Sequence, residues 1–230
     1  MNNRRFAVLV CALCTLQLPT MALANLITNH SFEAGPAVPG GQSFVTVGGG
    51  STAITGWLVT GSTIDVVEPG WNVSDGNRAI DLDGAFSIGG IQQTISTITG
   101  ATYDVTFDLS GNPGFPGQAA GPQVKNVRVA IDSFTQDYQF DTQGLTPATL
   151  TWQPNSFSFT ASGDSATLSF ASLSPGNNSW GAMIDNVSVT QRSNGGTGTA
   201  PTPAVAGLLV AGLACFGLVR RRSRAYSIGD

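Results

Sequence analysis

Between its two ends the chain repeats one short pattern, a run of alternating apolar and polar residues followed by a turn rich in Gly, Pro, Asn or Asp. The clearest run is 102–109, where Tyr103, Val105, Phe107 and Leu109 alternate with Thr102, Asp104, Thr106 and Asp108. A period of two means a strand with one face buried. The same reading predicts strands at 26–32, 43–47, 54–60, 63–67, 78–82, 88–95, 124–131, 134–140, 157–160, 166–173 and 183–190. Gly- and Pro-rich stretches at 35–41, 68–77 and 111–118 read as loops. No segment between the termini has a helical period with caps. Many short strands with turn signals between them predict an all-β fold, a two-sheet antiparallel jelly-roll sandwich.

One residue of the closing strand breaks the pattern. Strict alternation puts Met183, Asp185, Val187 and Val189 on one face and Ile184, Asn186, Ser188 and Thr190 on the other. With the Met/Val face buried, a carboxylate lies in phase with the core, where it needs a cation, a metal or several N–H donors. This strand is expected to close the domain beside the first one.

The ends carry different signals. Residues 1–24 combine Arg4 and Arg5, an apolar run from Phe6 to Leu18, and Ala22-Leu-Ala24, the layout of a signal peptide cut before Asn25. Cys14 follows Leu13 where a lipoprotein signal wants a small residue. At the other end, a Gly/Thr linker at 192–200 leads to Pro201-Thr-Pro203, an apolar run from Ala204 to Val219, and then Arg220, Arg221, Arg222 and Arg224. The run is at the short end of what spans a bilayer, and the arginines place residues 225–230 in the cytoplasm and the domain outside. The segment 201–224 resembles C-terminal sorting signals of the PEP-CTERM type, with Pro-Thr-Pro where those have Pro-Glu-Pro. That resemblance implies an exosortase-like sorting enzyme as a partner. A permanent single-pass anchor is the alternative.

Charge and cysteines narrow the picture further. All but one of the 14 acidic residues fall in 25–191, with only Arg78, Lys125 and Arg128 among the 10 basic ones. Such a surface repels nucleic acid and anionic lipid, leaving the C-terminal segment as the one expected membrane contact. Cys11, Cys14 and Cys215 all lie in the terminal segments, so the domain has no disulfide or thiol chemistry of its own.

Six motifs run in a recognisable order: Asn25-Leu-Ile-Thr-Asn-His-Ser-Phe-Glu33, Ile54-Thr-Gly-Trp57, Ser74-Asp-Gly-Asn-Arg-Ala-Ile-Asp-Leu82, Gly89-Gly-Ile-Gln-Gln-Thr94, Tyr103-Asp-Val-Thr-Phe-Asp-Leu109 and Ile184-Asp-Asn-Val-Ser-Val189. Together they resemble the bacterial choice-of-anchor C proteins, which are related to the plant cell-wall family called domain of unknown function 642 and similar to galactose-binding-like jelly rolls. The resemblance covers residues 25–191 and implies a β-sandwich with an extracellular, polysaccharide-associated role. It implies no activity. It also implies a structural Ca²⁺ tying the loop after the first strand to the last strand, which by position falls on Glu33 and Asp185. Calcium takes six to eight oxygens. The alternative is that Asp185 accepts only backbone N–H bonds and Glu33 is a solvated turn residue.

Read from the residues alone, the strongest ligand candidate is the loop carrying Trp71, with Asp75, Asn77, Arg78 and Asp81 close behind it and Trp180 as a second platform. An aromatic ring can stack on the apolar face of a pyranose while carboxylates and amides take its hydroxyls. Alternatively, Trp71 plugs one end of the sandwich. Trp57 reads as core and Trp152 as cover for a sheet edge. Asp81 and Asp83 read as solvated or near a turn. His30, the single histidine, reads as packed or hydrogen-bonded, which leaves little for multi-His metal sites or a Ser/His/Asp arrangement. A glycoside hydrolase needs two carboxylates across a cleft, and no pair stands out. The reading is therefore a non-catalytic, lectin-like module that binds extracellular polysaccharide or cell-wall glycan at the cell surface. A self-associating matrix or adhesion protein without a sugar pocket is the alternative.

Overall fold

Alternation becomes strand along most of the chain, and twelve strands are present among the described residues of the computed structural model, 24–68, 70–85, 87–115, 121–174 and 179–192. Residues 1–23 of the expected signal peptide, the linker from 193 onward and the C-terminal sorting segment lie outside the described residues. One sheet has the order β1 (Phe44–Gly48), β3 (Thr63–Val67), β4 (Ala79–Asp81), β12 (Ala182–Gln191), β7 (Thr102–Gly111), β10 (Gln153–Thr160). The other runs β2 (Leu58–Gly61), β6 (Ser87–Ser96), β11 (Ser165–Ser172), β8 (Val124–Ile131), β9 (Phe134–Asp141), with β5 (Asp83–Gly84) paired to β6. These pairings are antiparallel. The fold is the two-sheet antiparallel jelly-roll sandwich that the alternation predicts.

The facing sides of the sheets supply one core. Ile64, Val66, Ile80, Leu109 and Ile184 come from the first sheet and Ile91, Val127, Val129, Leu168 and Phe170 from the second, each no more than 1% exposed. Phe107 meets Phe170 edge-on at 5.2 Å and packs against Tyr138 at the same distance. Side chains of this size stabilise the fold by about 1.5–3 kcal/mol each when fully buried. Trp57 is in this core, 5.2 Å from Phe32.

Part of the reverse side of the first sheet, over β3, β4 and the start of β12, is covered too. Ile64 and Val66 face the main core, so Asp65 and Val67 face the other way. There Val67, Ala79 and Met183 form a smaller cluster with Trp71 and Leu150 from two loops. The loops are tied to each other by Asn72 N–H to Pro147 O at 2.9 Å and by Asn72 Nδ2 to Leu150 O at 2.7 Å. Trp152, expected to cover a sheet edge, packs on the same cluster, and its Nε1 donates to Asn72 O at 2.7 Å.

Three expectations change. The segment 26–32 is not a strand, because Asn29 (φ 56°) and Phe32 (φ 61°) turn the backbone out of the extended region. It still lies against β12, through Leu26 N–H to Val189 O at 2.8 Å and Val187 N–H to His30 O at 3.0 Å. The segment 54–57 is a turn closed by Trp57 N–H to Ile54 O, so β2 starts only at Leu58. The third change concerns β12. The pairing of β12 with β7 shifts register between Asp185 and Ser188, and Asn186 is left-handed at φ 50°. An extra residue reverses the phase of everything beyond it. Val187 and Val189 therefore join Ile184 in the main core, while Met183 points to the smaller cluster. Asp185 is fully buried, but not in phase with the valines.

Candidate functional site

A row of paired residues crosses the outer face of the first sheet: Thr46 opposite Asp65, Asp65 opposite Asp81, Asp81 opposite Met183, and Met183 opposite Ser110. Loops rising from the strand ends enclose one end of this row as a cleft of about 280 Å³. Four aromatic residues line it, Phe44 from β1, Trp71 from the loop after β3, Phe115 from the loop after β7 and Trp180 from the loop before β12. Trp71 and Phe115 stand nearly perpendicular, with centroids 5.7 Å apart and planes at 72°. Among the described residues, Asp65, Asn112 and Ser179 are its polar groups.

Asp65 is almost completely buried, and Thr46 Oγ1 donates to its Oδ1 at 2.6 Å. Burial pushes its carboxyl up to about 6, against hydrogen bonds from Thr46 and the Ala85 backbone. Asn112 is positioned from behind the cleft, where its Nδ2 donates to Asp81 Oδ2 at 2.6 Å and its Oδ1 accepts from Gly114 N–H. Asp81 also accepts from Gly181 N–H at 2.9 Å and Asp83 N–H at 3.0 Å. A Cβ on residue 181 would overlap both Asp81 and Asp83, so glycine is what allows this approach. Contrary to the solvated role read from the sequence, Asp81 and Asp83 are fully buried. Burial holds both carboxyls above their ordinary range, Asp81 well above it. Lys125, the single lysine, is buried beside them, and burial lowers its pKa against the attraction of both acids.

The sequence-predicted ligand residues separate into two groups. Trp71 and Trp180 share the cleft, though Trp71 is 8% exposed and its Nε1 is taken by Ser43 O at 3.1 Å, so it is part wall and part plug. Asp75, Asn77 and Arg78 face the N-terminal segment instead. Asp75 accepts a short hydrogen bond from Ser31 Oγ and lies 3.8 Å from His30 Nδ1. Arg78 is ion-paired with Glu68. Asn77 and Arg78 donate their backbone N–H groups to Glu33 Oε1 at 2.7 and 3.0 Å. Sequence reasoning passed over Phe44, Asp65, Asn112 and Phe115. Asp65 carried a usable signal, an acid in the otherwise apolar Ile-Asp-Val-Val of β3.

The two residues expected at a calcium ion, Glu33 and Asp185, meet one loop. Asp185 Oδ2 accepts Ser74 N–H at 2.9 Å and Asp75 N–H at 2.8 Å, and its Oδ1 accepts Asn186 N–H at 2.7 Å. Gly76 (φ 67°) packs so tightly on Glu33 that a Cβ there would overlap its carboxylate. Burial pushes Asp185 up to about 7, opposed by those three N–H groups. The hydrogen bonds to both carboxylates come from N–H donors, and the Asp75 carboxylate is near enough to Asp185 to raise its pKa. No group of three or more His, Cys, Asp or Glu side chains suited to a metal occurs among the described residues.

Fold and cleft together define a two-sheet β-sandwich with an aromatic-walled recess on the outside of one sheet. Residues 25–190 match the model of the family described as protein of unknown function DUF642, and the chain belongs to that family. Among characterised proteins it is similar to Halomucin of Haloquadratum walsbyi, 29% identical over 184 residues, a match covering 79% of this chain and 2% of that protein's length. Among solved structures it is similar to TmCBM61 in complex with beta-1,4-galactotriose, at 16% identity and TM-score 0.49, covering 74% of this chain and 99% of that one. It is also similar to the CBM22-1 xylan-binding domain of Paenibacillus barcinonensis Xyn10C, at 14% identity and TM-score 0.43, covering 75% and 97%.

Proposed function

We propose that this chain is an exported, non-catalytic carbohydrate-binding module acting at the cell surface or in the extracellular matrix, with extracellular polysaccharide or cell-wall glycan as its partner. The observation that carries the reading is the cleft itself, with rings of Phe44, Trp71, Phe115 and Trp180 around Asp65 and Asn112. Sugars need this combination, since apolar ring faces stack on aromatic groups and hydroxyls bond to a few fixed polar atoms. The volume suits one sugar unit of a chain better than a long groove would.

A hydrolase needs a second carboxylate across the cleft. Asp65 is the one acid among the described residues that line it, and the Asp81 oxygens are already taken by Asn112, Gly181 and Asp83. Carriage to the surface by the leader, and retention or processing by an exosortase-like enzyme at the C-terminal segment, belong to the same proposal and rest on the sequence signals alone.

Affinity electrophoresis and calorimetry against a panel of bacterial and plant polysaccharides test it. Retardation by at least one polysaccharide is expected, lost in Trp180→Ala, with no reducing sugar released. A protein retarded by none of the panel, or one whose Trp180→Ala variant binds unchanged, would refute the cleft as the binding site.

A further inference from the structure

Taking the carbohydrate-binding reading as its basis, we infer that the cleft is built for a cationic sugar, a residue bearing a free amino group in a partly deacetylated polysaccharide. Asp65 is the one charged side chain among the described residues that line the cleft, and no Lys, Arg or His accompanies it. Across β3 and β4 it faces another acid, Asp81, whose carboxyl burial holds well above its ordinary range and which therefore supplies no counter-charge. A buried carboxylate with no cation among the described residues lining its cleft lacks a counter-ion, and a neutral hydroxyl does not supply one.

The surroundings suit a cation. Aromatic faces attract cations, and the rings of Phe44, Trp71, Phe115 and Trp180 line the same recess as Asp65. Thr46 Oγ1 donates to Asp65 Oδ1, which fixes the carboxylate without neutralising it. The rest of the domain adds to this, because its acidic residues far outnumber its basic ones and draw a polycation toward the surface.

The test is calorimetry of the full chain at pH 7 in 0.15 M salt against three tetrasaccharides: β-1,4-linked glucosamine, its fully N-acetylated counterpart, and cellotetraose. The free-amine tetramer is expected to bind at least about tenfold more tightly than the acetylated one. Asp65→Asn, nearly isosteric, is expected to bring the two within about twofold. Because that variant removes one acid among many, an unchanged preference would assign the effect to overall charge and overturn the inference. Should Asp65→Asn fail to fold by circular dichroism, Trp180→Ala takes its place and is expected to weaken amine binding by about tenfold or more. Tighter binding of the acetylated or neutral tetramer overturns the inference and leaves the carbohydrate reading standing. Binding of none overturns it as well, and the polysaccharide panel then decides the broader reading separately.

Discussion

Glu33 and Asp185 come from near opposite ends of the domain sequence and grip one loop from two sides. Glu33 takes the N–H groups of Asn77 and Arg78, and Asp185 takes those of Ser74 and Asp75. The loop 74–78 has no sheet to satisfy these donors, so the carboxylates do it. Removing the buried partner leaves three N–H groups unpaired, each costing about 1–3 kcal/mol if no water reaches it. Asp185→Ala is therefore expected to destabilise the protein by roughly 3–5 kcal/mol. Glu33→Ala, at an exposed residue, is expected to cost only about 1 kcal/mol. Urea unfolding of the two variants checks the ranking, and equal losses would show that burial is not what separates them.

The same contacts bear on calcium. N–H groups already bond both oxygens of Asp185 and Oε1 of Glu33, so the loop is held without the ion expected from the family resemblance. The melting midpoint in excess chelator is expected to equal that in millimolar calcium. A midpoint several degrees higher in calcium would restore Glu33 and Asp185 as ligands.

Protonation is coupled to folding with a definite sign. The carboxyls of Asp65 and Asp185 rise from 3.8 to about 6 and about 7 in the fold, and burial is the first cause of both shifts. Between pH 4 and pH 7 the folded state therefore binds more protons than the unfolded one. Their contribution to stability is full below pH 4 and is lost as the pH rises through 6 and 7. Thermal melts over this range are expected to show a midpoint that falls as pH increases, with a shallower slope in Asp65→Asn. The acids held below their ordinary range, Asp104, Asp132 and Asp137, act only below that window.

Asn186 makes a test of the bulge. Its φ of 50° suits Asn or Gly and strains a β-branched residue, and its Nδ2 donates to Asp108 Oδ2 at 3.1 Å. Asn186→Val is expected to cost about 1–2 kcal/mol, and Asn186→Gly a few tenths. Similar losses in both variants would mean that the side-chain bond matters more than the backbone.

The bulge also marks where sequence reading stops. Alternation placed β3 and β8 at the bounds observed, because each is a short strand bounded by turn residues and free of irregularity. In β12 the same rule failed after Asp185, since one left-handed residue inverts the phase and alternation has no signal for it. The candidate site shows a similar divide. Trp71 and Trp180 were legible as aromatic residues on loops, whereas Phe44, Asp65, Asn112 and Phe115 reach the cleft only through strand order and loop packing. Asp75, Asn77 and Arg78 were assigned to a ligand because they follow Trp71 closely. In space the chain turns away between them, toward the N-terminal segment.

The position of β12 between β4 and β7 has a mechanical result. Tension entering the domain through the chain beyond Gln191 would load a strand clamped along both flanks, and the opening segment pinned to Val187 and Val189 would share that load. To extract it, rows of hydrogen bonds must shear together instead of peeling one at a time.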